Sequence, residues 1–540
     1  MKRSRILLRN LFSNWVGYGV ELITGLLTAP LLVNSLGEQG YGLWMLLVAI
    51  TAYLRLLNLG VNDTLGRNIA FHRSRNDPLA VNAILGAALT FLGADSILVL
   101  LGILGSIPAF FWLFEVPSDQ ADNVTWALVL LGTTTLVGLW TSVFDATLWA
   151  YERFDLSTLI DVPAALFRLA LTFLAIRSGH GVVGLAALML CITLVSGAGK
   201  ALLCFRLEPG LHFRPGHASR QAAAVLFRFG AWSFLNSVTG MILASIGPVV
   251  IGSRLTVSSV TPFSIVTRLV GYAGTFFVIS TGVLTPWATA LYSQEKQQQQ
   301  LRMFLDGGKA SVSAALFFLA LFGSLGGPFI ALWMGREIND AEQLLLIVAL
   351  GEVLPMSQAV SRNMAMAMGR YKALAYLAIV EVALVVSLGN LLIQSHGILG
   401  FALAVALSGA VCRGLVPFLY VRRLLSVSLE RYWHHAVLPA VTAAVVPAAC
   451  LREWTFFEPP ATWITLIGCA VLYGMVYLAF GGPVLMYSKR IKPQWNWLIL
   501  IAFGLAYSLV NWDLWGSILN NYEELKVEWD TLVRAIVEIL

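Results

Sequence analysis

The chain has 540 residues; 58% are hydrophobic and only 12% are Asp, Glu, Lys or Arg, with a net charge of +6. Soluble domains carry about 25% charged residues, so a chain this long with half that share cannot cover a water-facing surface. The composition and a mean hydropathy of +0.78 exclude a soluble enzyme, a disordered chain, a nucleic-acid binder and a secreted disulfide scaffold, and leave a polytopic membrane protein. The apolar runs are nearly continuous and helix-length. They are not the roughly ten-residue alternating segments of an outer-membrane barrel.

In chain order, the first run follows Met1-Lys-Arg-Ser-Arg and extends from Leu11 to Val33. It is too long for a signal-peptide core and holds Asn14 and Glu21, so it reads as an uncleaved first span. A span needs about 20 apolar residues. Thirteen further runs meet that length, near 41–61, 80–106, 124–148, 157–176, 181–203, 229–252, 258–285, 309–334, 341–366, 371–394, 396–420, 434–451 and 461–483. Gln297 to Gln300 reads as a solvated loop, and Gly323 to Gly327 as a stretch of close helix packing. Residues 497–512 form either a short fifteenth span, which is favoured, or a helix in the interface, and an amphipathic tail follows.

Lys and Arg alternate with this map. Twenty-four fall in segments of one side and four (Arg177, Arg254, Arg336 and Arg452) in segments of the other. The bias places the amino terminus in the cytoplasm and explains the basic balance without an anionic partner. The five cysteines lie in or beside apolar runs with no C-x-x-C, and the seven histidines show no ligand spacing. No metal, cofactor or nucleic acid is expected.

A shift of 222 residues aligns span 1 with span 7 and span 2 with span 8. Asn14 meets Asn236, Gly25 meets Gly247 and Tyr41 meets Phe263. An offset of six spans is a parallel repeat. The expected fold is an all-α polytopic membrane protein of about fourteen helices: two pseudo-symmetric six-helix bundles with helices appended. The expected units are an N-terminal bundle at 1–206, a cytoplasmic linker at 207–228, a C-terminal bundle at 229–425, the appended spans at 426–490 and the last apolar segment with its tail at 491–540.

Pro30-Leu31-Leu32, then Leu36-Gly37 with Gly40-Tyr41-Gly42, then Leu59-Gly60-Val61 resemble the start of bacterial polysaccharide transporters. These form the oligosaccharide-lipid flippase branch of the multidrug/oligosaccharidyl-lipid/polysaccharide exporter superfamily. The resemblance implies a non-enzymatic flippase of the bacterial cytoplasmic membrane. Its substrate would be a polyprenyl-pyrophosphate-linked glycan drawn from membrane lipid, and its partners glycosyltransferases and a polysaccharide polymerase.

Ionisable residues inside spans are costly and usually face a cavity or a partner. Asn14, Tyr18, Glu21, Gly25 and Thr28 form one polar stripe on the first helix. Arg55, Arg168, Arg268, Arg362 and Arg413 lie within spans, as do Asp95, Asp145, Asp161, Glu352 and Glu381. Arginine offers a planar donor fork to phosphate oxygens and stays charged. The expected substrate set is therefore Arg55, Arg268 and Arg362, then Arg168 and Arg413, with Asn14, Tyr18 and Asn236 on the sugars. Glu21 and Asp63 are the expected ion-coupling carboxylates. Against this stand snorkelling for Arg55, Arg362 and Arg413, a structural contact between Asp161 and Arg168, and interhelical partners for Asp95, Asp145 and Glu381. Two other functions stay open: an ion-coupled exporter of small cations with the same fold, and a membrane polymerase or ligase. The second is disfavoured by short outer connections.

Overall fold

A lipid-facing backbone has no water to bond, so each apolar run must satisfy its own amide groups, and only the helix does so within one segment. The computed structural model describes residues 2–54, 61–75, 77–177, 179, 181–211, 238–282, 284–457 and 460–487, and among them every long element is helical. The last apolar segment, the tail and most of the linker lie outside the described residues.

Eleven helices are long and apolar enough to cross a membrane. Two of these hold two crossings each, and the shorter helix Val238–Arg254 adds another, which gives the fourteen expected. The doubled helices are α1 (Lys2–Leu54) and the one containing α13 (Tyr371–Gly409), and each breaks at a glycine. Gly37 has φ 71° and Gly397 has φ 58°. A side chain at that φ is disfavoured, so glycine is the residue that lets one crossing end and the next begin without a loop.

The remaining first-half helices are α2 (Val61–Ser74), α3 (Pro78–Leu113), α4 (Ala121–Ala150), α5 (Phe154–Arg177) and α6 (Gly181–Leu207). The second half comprises α7 (Val238–Arg254), α8 (Val260–Gly282), α9 (Leu284–Ser293), α10 (Gln297–Met334), α11 (Ala341–Ser357), α12 (Ala359–Ala367), α13 and α14 (Val416–Leu424). The appended crossings contain α15 (Leu429–Tyr432) with α16 (Leu438–Phe457), and α17 (Trp463–Val476) with α18 (Gly482–Tyr487). They dock on α10. Tyr473 stacks on Phe317, and Tyr477 donates its hydroxyl to the Ser313 carbonyl at 2.8 Å. Gln297 to Gln300 is a correction: glutamine is a good helix former, and the run opens α10. Gln300 is buried there and donates to the Leu291 carbonyl at 3.1 Å.

Core packing is asymmetric across the membrane. On the side away from the amino terminus, one cluster joins both halves: Ala29, Val33, Tyr41 and Leu47 pack with Ile251, Val266, Met334, Leu344 and Phe401. On the amino-terminal side the halves have separate clusters. Leu65, Leu85, Leu92 and Val143 serve the first; Phe304, Met364, Phe418 and Tyr432 serve the second. Polar contacts reinforce the shared side. Pro30 has no N–H, which frees the Leu26 carbonyl one turn earlier, and the Trp333 indole donates to it at 2.6 Å. Asn34 donates to the last carbonyl of α10, on Met334, at 2.9 Å. Thr261 donates to the Glu38 carbonyl at 2.6 Å, and Arg336 lies 3.6 Å from the Glu38 carboxylate. Two bundles tied at one end and separately packed at the other enclose a space that opens toward the amino-terminal side.

A Cβ on Gly42 would stand 2.0 Å from the Val257 carbonyl oxygen, an approach only glycine permits. Gly42→Ala should therefore loosen the tied end. A cysteine pair at Glu38 and Arg336 should cross-link readily in the otherwise unchanged protein and several times less in the Gly42→Ala background.

Candidate functional site

The polar stripe of α1 faces inward. Tyr18 donates its hydroxyl across the halves to the Tyr272 carbonyl at 3.0 Å. Gly25 makes room for the ring of Tyr272, whose hydroxyl would lie 2.3 Å from an added Cβ. Thr24 and Thr28 instead bond back to their own helix, at the Val20 and Thr24 carbonyls. Beside this stripe, α1, α4, α5 and α6 enclose a cavity of about 680 Å³ that reaches Ile279 of α8. Tyr18, Glu21, Asp161, Arg168 and Lys200 line it, with the hydroxyls of Ser157, Thr158, Thr193 and Ser196. It lies at the start of α1 and α5 and the end of α4 and α6, on the open side.

Lys200 is the main functional residue that the sequence reading missed. Its ammonium sits 2.7 Å from Asp145 on α4 and 2.7 Å from Asp161 on α5. The lysine is 8% exposed, whereas both carboxylates keep about half their side-chain surface open, 46% and 51%. Small residues bring α6 close enough for this. A Cβ on Gly197 would clash with Thr141 at 2.0 Å, and one on Gly199 would meet Ile160 at 3.0 Å. The signal was legible: Ser196-Gly197-Ala198-Gly199 directly precedes the lysine, and Asp145 and Asp161 stand in neighbouring runs.

Arg168 shares the cavity but not the ion pair. Asp161, seven residues away on the same helix, turns to Lys200, and among the described residues Arg168 makes no ion pair. Arg268 lies on α8 outside this cavity, within electrostatic reach of the Tyr41 and Tyr272 hydroxyls. Glu21 is exposed within the cavity, as the stripe predicts. Arg55 and Asn236, and the side chains of Asn14 and Asp63, lie outside the described residues.

Arg413 departs from the expectation of a substrate ligand. It sits in a π-helical turn, Ala410–Leu415. Its Nη2 and Nη1 donate to the two oxygens of Glu352 at 2.6 and 3.1 Å, and its Nε donates to Glu381 at 2.7 Å. Three of the five guanidinium N–H groups, one on each nitrogen, are thus taken by carboxylates, and both faces of the donor fork are occupied. Arg362 on α12 lies within electrostatic reach of all three, so two cations face two anions. This cluster ties α11, α12, α13 and the π-helical turn together away from the cavity. Asp95 also differs from its reading. It is 2% exposed, and among the described residues neither carboxylate oxygen has a hydrogen-bond partner.

An all-α polytopic fold with an ionisable cavity between its helices fits the membrane transporter class expected above. The chain belongs to the polysaccharide biosynthesis protein family, whose model matches residues 7–291, and thus to the polysaccharide-transporter branch. It is 22% identical over 487 residues to the membrane protein EpsK of Bacillus subtilis (strain 168), covering 87% of this chain and 94% of that one. In fold it is similar to the inward-facing conformation of a multidrug resistance MATE family transporter of the MOP superfamily. There the TM-score is 0.66 at 17% identity, over 75% of this chain and 94% of that chain. It is also similar to the lipid II flippase MurJ in an inward closed conformation, with a TM-score of 0.60 at 14% identity, over 89% and 99% of the two chains.

Arg413→Leu should be strongly destabilising, because it strands the buried Glu381; breaking such a pair costs about 3–5 kcal/mol. Adding Glu352→Gln and Glu381→Gln should recover much of the loss. Thermal unfolding of the three proteins in detergent measures both effects.

Proposed function

We propose that this family member flips a polyprenyl-pyrophosphate-linked oligosaccharide across the bacterial cytoplasmic membrane, by alternating access of its two halves, for cell-surface or exopolysaccharide synthesis. The observation that carries the reading is the cavity on the open side, where the guanidinium of Arg168 stands unpaired beside a lysine held by two carboxylates. An anionic headgroup entering this space loses hydration, and a charged donor fork offsets that loss better there than in bulk water. The Lys/Arg bias puts the amino terminus, and therefore the opening, in the cytoplasm, where lipid-linked sugars would be assembled by glycosyltransferases. A polymerase would use the product on the other face. Membership of the polysaccharide biosynthesis family and a fold shared with a lipid II flippase support the reading.

Within it, Arg168 is the first phosphate ligand, and Lys200 is a second cation released when its carboxylates are neutralised. Tyr18 and Asn14 hydrogen-bond sugars. Arg268, Arg362, Arg55 and Asn236 are the further substrate ligands that the sequence reading gives, and Glu21 and Asp63 couple the cycle to an ion. The competing reading, export of a small cation, is favoured by one observation. Glu21 and Asp161 on the cavity wall, together with Asp145 paired to Lys200 from outside the lining, outnumber Arg168 and Lys200 by one charge.

Vesicles containing the purified protein should move a fluorescent polyprenyl-pyrophosphate-linked sugar between leaflets. Arg168→Ala should slow this roughly tenfold to a hundredfold, the worth of a hydrogen bond to a charged group. Arg268→Ala should slow it at normal protein yield. Unchanged rates in either variant remove that residue from the site. Ethidium efflux at wild-type rate, without movement of the lipid probe, would decide for the cation exporter.

A further inference from the structure

The polar cavity does not end in protein. Where α1 and α5 continue past Glu21 and Arg168 toward the tied side, a second cavity of about 580 Å³ opens between the same two helices. Its walls are Leu27, Pro30 and Leu31 on α1 and Leu169, Ala170 and Phe173 on α5. It is apolar along its length. Its polar groups, Asn34 and Ser35, lie at the far end and are already bonded, to the Met334 and Leu31 carbonyls. Leu27 is 50% exposed and Phe173 39%, so the furrow is open at the membrane-facing surface.

We infer that this furrow holds the isoprenoid tail of the substrate while its headgroup occupies the polar cavity. The inference rests on the flippase reading and adds to it a tail site. Three features select this occupant. The furrow follows the headgroup cavity along the same pair of helices, since Ala165 lines one and Leu169, one turn further along the same face of α5, lines the other. Its chemistry changes at that point from charged to apolar, as a phosphorylated lipid changes at its first isoprene unit. Its direction is also required by the membrane. A lipid whose headgroup lies on the open side must point its tail toward the opposite leaflet, and Leu27 to Ser35 runs about 12 Å that way. A two-tailed phospholipid has no reason to prefer a single furrow that starts beside an unpaired guanidinium. A long single chain gains about 0.8 kcal/mol for each methylene-sized group it buries there.

The test uses full-length protein in phosphatidylcholine vesicles and two probes with the same fluorescent N-acetylglucosaminyl-pyrophosphate head. One carries an undecaprenyl tail, the other a short citronellyl tail. Ala170→Trp and Leu27→Trp fill the furrow from opposite walls; Ile464→Trp, on the exposed face of α17, is the control. Each furrow variant should slow movement of the undecaprenyl probe roughly tenfold, the equivalent of about 1.4 kcal/mol, and leave the citronellyl probe within about twofold. Arg168→Ala should slow both. Equal slowing of both probes by the furrow variants, or of neither, overturns the tail site and leaves the furrow to ordinary bilayer lipid. Transport of neither probe by the unsubstituted protein overturns the flippase reading itself. A variant that fails to fold shows as loss of the monodisperse peak in detergent, and the second variant on the opposite wall then carries the test.

Discussion

A charge inside a bilayer must be compensated, by an opposite charge or by water, because the cost of leaving it bare exceeds what a marginally stable fold can lose. The internal charges of this protein follow from that constraint. Arg413 is compensated by Glu352 and Glu381, and Lys200 by Asp145 and Asp161. Arg168 is compensated differently: it faces a cavity wide enough for water. The distinction separates structural cations from one available to a ligand, and it arises because a carboxylate and a phosphate compete for the same donor fork.

The two ion clusters also divide the labour between the halves. The Arg413 cluster joins α11, α13 and a π-helical turn through three charge-assisted hydrogen bonds, one from each guanidinium nitrogen. The Lys200 cluster is more open: each of its carboxylates keeps about half its side-chain surface exposed, and Asp161 and Lys200 line the cavity.

The core is asymmetric, with a shared cluster on one side and separate clusters on the other, and this supports the alternating access proposed above. The polar contacts that reinforce the shared apolar cluster are individually modest, about 1 kcal/mol each: an indole on a carbonyl freed by Pro30, an asparagine on a helix end, a threonine on the Glu38 carbonyl.

The fold was largely legible in the sequence because the bilayer enforces it locally. About 20 apolar residues make a span wherever they occur, whereas the breaks at Gly37 and Gly397 became visible only in the backbone. The inward-facing stripe through Tyr18 and Glu21 was also legible, since helical spacing fixes which residues share a face. The pairing of charges was not. Asp161 could have met Arg168 on its own helix, and Arg413 could have faced solvent; their partners lie on other helices, brought near by glycines at 197 and 199 and by the π-helical turn at 410–415. The sequence by itself determined how many helices cross and which faces are polar, because those depend on neighbours three or four residues apart. Only the tertiary structure decided which arginine is free and where the polar cavity meets an apolar furrow, because those depend on side chains brought together from different helices.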